Sequence, residues 1–145
     1  MEKDLSGEIH RINCLMSDID AAYHLASVKL GVSDSTSFIF YMLYIHDGCC
    51  LLSDIYRLSG ISKQTVNSAL RKLESENMIY LENLNGKAKK VCATESGKPY
   101  IYEVSEKLYK AETAAFHEWS AEEIRAFIGT LEKYNALFRK QIENL

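Results

Sequence analysis

The sequence predicts a mainly α chain with one small β-hairpin. Apolar residues recur at helical spacing along both ends of the chain. Capping residues and glycines cut the middle into short helical segments. One Asn-Gly pair, Asn85-Gly86, stands between two strand-like runs.

From Leu5 the apolar positions are Leu5, Ile9, Ile12, Met16, Ile19, Tyr23, Ala26 and Leu30, in alternating steps of four and three. This heptad stripe predicts a helix of about 25 residues, about 38 Å long at 1.5 Å per residue. Gly31 ends it as a C-cap does. Ser33-Asp34-Ser35-Thr36-Ser37 is a cluster of capping residues that starts the next helix. That helix runs through FIFYMLYIH to Asp47-Gly48, and being apolar nearly all round it is expected at the centre. Cys49 to Leu52 reads as an edge strand. Ser53 is expected to cap a short helix, Asp54 to Leu58, followed by a turn at Ser59-Gly60. Ser62 caps a further helix reaching about Asn77, whose apolar side is Val66, Ala69, Leu70 and Leu73. Met78 to Leu84 and Lys87 to Ala93 read as two strands, and Asn85-Gly86 favours a type I′ turn because both residues tolerate positive φ. Helix, turn, helix and hairpin in that order make a winged helix-turn-helix.

Thr94-Glu95-Ser96-Gly97 is a capped break, and Pro99 suits the first turn of a helix. Ile101, Val104, Leu108, Ala111 and Ala115 repeat at heptad spacing along it. Ser120 and Glu123 fit a capping box for the last helix, with a stripe of Ile124, Phe127, Leu131, Tyr134, Phe138 and Leu145. Residues 1–31 are therefore read as a dimerisation helix, 33–98 as the winged helix-turn-helix, and 99–145 as further dimerisation helices. The stripes exceed what one small core can cover, so a symmetric homodimer is expected to bury them, with Leu5, Ile9, Ile12, Met16 and Leu131 in its seam.

The 145 residues, 47% hydrophobic, suit one domain with helical extensions. No apolar run approaches the roughly 20 residues that cross a bilayer, and the chain does not open on a secretory pattern. No membrane partner and a cytoplasmic location are expected. The net charge of −3 conceals a basic block: Arg57 to Lys98 carries +4 and the remainder −7. A local field of that kind marks a surface for a polyanion. Cys14, Cys49, Cys50 and Cys92 form no CxxC pair and are expected as reduced thiols. His10, His24, His46 and His117 show no metal-ligand spacing, and no cofactor is expected. No catalytic set stands out, so an enzyme ranks last among the function classes.

ISKQTVNSALRKLESENMIYLEN and KKVCATESGK resemble the recognition helix, wing and threonine-glycine helix entry of the MarR family of bacterial transcriptional regulators. The resemblance covers most of the chain. It implies six helices, a homodimer made by the first and last two of them, and binding to palindromic double-stranded DNA operators. Such proteins usually repress and are released by a small ligand or by cysteine oxidation. The family wing commonly carries Asp-x-Arg; the aligned residues here are Asn85, Gly86 and Lys87. Lysine lacks the planar fork that suits arginine to a narrow minor groove. That departure favours the competing class, a winged-helix protein-interaction module.

B-DNA's major groove admits one helix, and the first turns of that helix reach base edges. Lys63, Gln64, Asn67 and Ser68 are the candidate base contacts, Arg or Lys pairing with guanine and Asn or Gln with adenine. Ser62, Thr65, Arg71 and Lys72 suit phosphates, as do Lys87, Lys89 and Lys90 in the wing. A solvated polar face is the bland alternative. Tyr23, Phe38, Tyr41, Tyr44 and His46 form a candidate pocket for a small aromatic effector, although aromatic residues at helical spacing are more often plain core. Cys14, off the heptad stripe with Arg11 nearby, is the candidate redox residue; its alternative is an inert thiol.

Overall fold

The computed structural model describes residues 3–145, so the first two residues of the region assigned to 1–31 lie outside it. The described residues form α1 (Ser6–Leu30), α2 (Asp34–Ile45), β1 (Cys49–Leu51), α3 (Leu52–Ser59), α4 (Lys63–Ser75), β2 (Ile79–Asn83), β3 (Lys89–Ala93), α5 (Lys98–Phe116) and α6 (Ala121–Glu143). The mainly α, winged helix-turn-helix class is the one expected, with a third strand added to the hairpin. The chain divides into two compact units, Met1–Leu108 and Tyr109–Leu145.

In the first unit α2 is the central element. It buries Ile39, Phe40, Met42 and Leu43 against Ile55 of α3, Val66, Leu70 and Leu73 of α4, and Ile101 and Val104 of α5. Ser33 caps it by accepting the Thr36 N–H at 3.1 Å. α1 stops at Gly31, whose φ of 74° is the left-handed C-cap expected there. Only the last turns of α1 bury side chains, chiefly Ser27. His24 and Asp34 pair at 2.9 Å across the α1–α2 corner, and the His24 hydrogen bond holds the Asp34 carboxyl below its ordinary pKa.

β1, β3 and β2 form an antiparallel sheet in that order. Cys50, Val91, Leu81, Ile79 and Ala93 share its core face, because side chains alternate along each strand. The other face carries Cys49, Cys92, Tyr80 and the Glu82–Lys90 pair. Cys49 and Cys92, expected as reduced thiols, are joined in a disulfide. The register sets them directly opposite each other with Cα atoms 4.1 Å apart. Cys50 packs in the core as a thiol, and burial, aided by the Asp54 charge, pushes its pKa up to about 11.

Other local features differ from expectation, among them the hairpin strands, which shorten to Ile79–Asn83 and Lys89–Ala93. α3 begins at Leu52, with Leu51 at its N-cap and no side-chain cap, so Ser53 lies within the first turn. Leu52 packs against the core, and that packing sets the junction. α4 ends at Ser75, two residues early, because Asn77 turns left-handed (φ 56°). The Met78 N–H then returns to Leu73 O at 2.9 Å and that of Asn77 to Glu74 O at 3.0 Å, the Schellman pattern. The hairpin does not close as a type I′ turn: Gly86 has φ 68° but Asn85 keeps a negative φ. Pairing Ile79 with Ala93 and Leu81 with Val91 makes residue 86 the centre of symmetry. Leu84 N–H bonds Ala88 O at 2.9 Å, leaving the three residues 85–87 to turn. A two-residue turn would slip the register by one and expel the core face.

The second unit holds the end of α5 and all of α6. Ser120 and Glu123 form the expected reciprocal capping box. Phe116 and Trp119 pack at a tilt against Phe127, with ring centroids 6.3 and 5.3 Å away. α6 buries no residue fully, and Leu131, Leu137, Phe138 and Ile142 stand exposed along it. Among the described residues no helix is long and apolar enough to cross a membrane.

Candidate nucleic-acid interface

α4 is amphipathic in the way its spacing dictates. Val66, Ala69, Leu70 and Leu73 are buried, while Lys63, Gln64, Thr65, Ser68, Arg71 and Lys72 are exposed. Asn67 sits half-buried at the border of the two faces. No acidic residue occurs in the first turn, and the first along the helix is Glu74. The N-terminal three turns therefore offer cationic and neutral polar groups with nothing to repel a phosphate.

Short-range contacts order this face. Ser62 accepts the Thr65 N–H at 3.2 Å, and the two hydroxyls lie 2.8 Å apart. Ser62 thus spends its side chain on the cap. The Ser68 hydroxyl donates to Gln64 O at 3.0 Å, and Arg71 Nε donates to Asn67 O at 3.3 Å. From α3, the Tyr56 hydroxyl donates to Asn67 Oδ1, and Lys63 Nζ lies 4.8 Å above the Tyr56 ring. Tyr56 was not singled out from sequence. It is 11 residues from Asn67, and only the packing of α3 on α4 brings the two together.

In the wing, Lys87 and Lys89 are exposed, Lys87 in the turn and Lys89 at the start of β3. Lys90 is half-buried on the opposite face from Lys89, across from Glu82 and Leu51. Lys87 and Lys89 are accordingly better placed than Lys90 for an extended polyanion.

The aromatic set is dispersed. Tyr23 is exposed on α1; Phe38, Tyr41 and Tyr44 are half-buried on α2; His46 is exposed at the α2 C-cap. Tyr44 meets Tyr102 edge-on at 5.3 Å. A cavity of about 430 Å³ lies instead between the α2 N-terminus, α4 and the start of α5, lined by Val32, Phe40, Leu73, Met78 and Tyr100 together with the polar Thr65, Ser68, Lys72 and Glu76. A second, of about 310 Å³, includes His46, Cys49, Asp54 and Lys90. Of the five aromatic-set residues, only His46 lines either cavity. Cys14 is exposed, its Sγ 3.8 Å from His10 Nε2. Leu5, Ile9, Ile12, Met16 and Leu131 are all 45–52% exposed in the single chain. Among the described residues no cluster of three or more His, Cys, Asp or Glu is arranged to hold a metal ion.

The sequence profile of the MarR family matches residues 30–88, from the end of α1 through the turn of the wing. The chain is 28% identical over 110 residues to YwhA, an uncharacterised HTH-type transcriptional regulator of Bacillus subtilis, covering 74% of this chain and 78% of that one. Its fold is similar to that of NMB1585, a MarR family regulator from Neisseria meningitidis, with a TM-score of 0.80 over 99% of both chains at 17% identity. It is also similar to MepR of S. aureus, solved as a DNA complex, with a TM-score of 0.66 over 94% of this chain and 99% of that one at 19% identity.

Proposed function

We propose that the chain is a transcriptional regulator of the MarR family, whose profile matches residues 30–88, and that it works as a homodimeric repressor of palindromic operators. α4 enters the major groove and the wing follows the backbone. The observation that carries this reading is the α4 face: exposed Lys63, Gln64, Thr65, Ser68, Arg71 and Lys72, free of acid before Glu74, backed by a fully packed apolar side. Hydrogen-bonding side chains on the first turns of a helix suit base edges, and the cations suit phosphates. The exposed stripes of α1 and of α6 supply the dimer, with residues 1–31 and 99–145 as its dimerisation regions and 33–98 as the DNA-binding region. Two-fold symmetry then places the recognition helices about 34 Å apart, one turn of DNA.

Release by a small molecule is part of the proposal. The cavity lined by Thr65, Ser68 and Lys72 has aromatic walls in Phe40 and Tyr100. A small aromatic molecule held there would draw Lys72 and the hydroxyls away from phosphate.

The second reading, a protein-interaction module, is favoured by one feature: Lys87 where the family wing carries arginine. Selection from a randomised duplex library at two salt concentrations separates the two. The expected result is an enriched palindrome with half-sites one helical turn apart and affinity that falls steeply as salt rises. Lys89→Ala should weaken all sequences about equally and lower the salt slope by about one. Absence of DNA binding at low salt would move the assignment to the protein-interaction module.

A further inference from the structure

We propose that Tyr56 sets the base that Asn67 reads, so that Asn67 accepts either purine through N7 instead of pairing bidentately with adenine. The inference rests on α4 being the major-groove helix. A bidentate contact to adenine asks the amide for both its functions: Oδ1 accepts from N6 and Nδ2 donates to N7. Oδ1 has two lone pairs, but here the Tyr56 hydroxyl donates to it from the α3 side and so holds it toward the protein. Tyr56 is half-buried, packed against the hydrophobic core from α3, and its ring cannot follow the amide into the groove. Asn67 is itself half-buried at the rim of the packed face, so its oxygen is drawn toward the protein. The NH2 group, which only donates, is left to meet DNA.

A lone donor in the major groove finds N7 on adenine and guanine alike and O4 on thymine, whereas cytosine offers only its own donor there. Lys63 adds to this pattern. Its ammonium lies over the same Tyr56 ring at 4.8 Å and also only donates. One α3 tyrosine thus positions two neighbouring donors on α4, and the half-site they face should exclude cytosine on the contacted strand. Tyr56 acts as a positioning residue, through Asn67 and Lys63.

The test is competitive binding of the full-length protein to its selected operator, with all four base pairs substituted at each half-site position. Wild type, Tyr56→Phe and Asn67→Ala are compared, with thermal melting as the control for folding. The position whose preference Asn67→Ala abolishes is the one Asn67 reads. There, wild type should bind adenine and guanine within about threefold of each other and reject cytosine by about tenfold or more. Tyr56→Phe removes one hydroxyl and frees Oδ1, so adenine should gain about tenfold over guanine at that position alone. An unchanged base profile in Tyr56→Phe would overturn the inference while leaving the α4 reading intact, as would a wild type that already favours adenine tenfold. If Asn67→Ala altered no position, the α4 reading of Asn67 would fall, and the inference with it.

Discussion

Gly97 illustrates how one residue can be constrained by space alone. It lies in the Thr94–Gly97 break, where the Thr94 hydroxyl accepts the Gly97 N–H at 2.9 Å and itself donates to Asn77 O at 2.7 Å. A Cβ built at Gly97 would sit 2.8 Å from Met78 Cα and 2.9 Å from its carbonyl carbon, and closer still to its oxygen. Those are backbone atoms just before β2 and cannot swing aside. Gly97→Ala should therefore destabilise the fold by about 1–3 kcal/mol, the usual cost of overpacking. Chemical unfolding measures this; an unchanged midpoint would mean that α5 and β2 separate more easily than their packing implies. Cys50 is constrained in its chemistry instead. Burial holds it as a thiol at neutral pH, so it contributes volume to the core and not reactivity.

At the scale of elements, the sheet is a hairpin with a third strand bonded to it. β1 is only three residues long, and strands of that length pair weakly by themselves. The Cys49–Cys92 disulfide ties β1 to the central strand across 43 residues of chain. Closing a loop of that size removes entropy from the unfolded chain, and such a link contributes about 2–4 kcal/mol. Denaturant unfolding with and without a reductant should show a lower midpoint when reduced. The Cys49→Ser variant should match the reduced wild type and ignore the reductant. Equal midpoints for oxidised and reduced wild type would show that the strand pairing needs no covalent help. α4 shows the same dependence on neighbours, since its length is decided by the left-handed turn at Asn77 that sends Met78 into the core.

At the scale of the whole molecule, the apolar stripes decide what state the protein works in. Ile12 and Met16 are nearly half exposed in one chain, so replacing them costs the single chain little of its own packing. In a dimer seam the same positions would be desolvated, and a carboxylate there would have to leave water without a partner. Ile12→Asp should leave helical circular dichroism unchanged, halve the mass seen in sedimentation, and abolish tight operator binding. A variant that stays dimeric would move the seam off the α1 stripe.

Local rules were enough wherever an element's limits depend on residues within one turn of one another. Gly31 ends α1, Ser33 and Ser62 cap α2 and α4, and Ser120 with Glu123 caps α6, all as the pattern of residues requires. The amphipathic face of α4, which carries the candidate interface, was legible for the same reason: its period is an intrinsic property of the helix. Contacts between distant residues decided the rest. The hairpin turn obeys the register of Ile79, Leu81, Val91 and Ala93 and overrides the local preference of Asn85-Gly86. Cys49 meets Cys92 because β1 joins the sheet, the cavity forms where α2, α4 and α5 converge, and Tyr56 reaches Asn67 because α3 packs on α4. Periodicity records which side of an element is buried; what that side, or its border, touches is fixed only when the elements pack together.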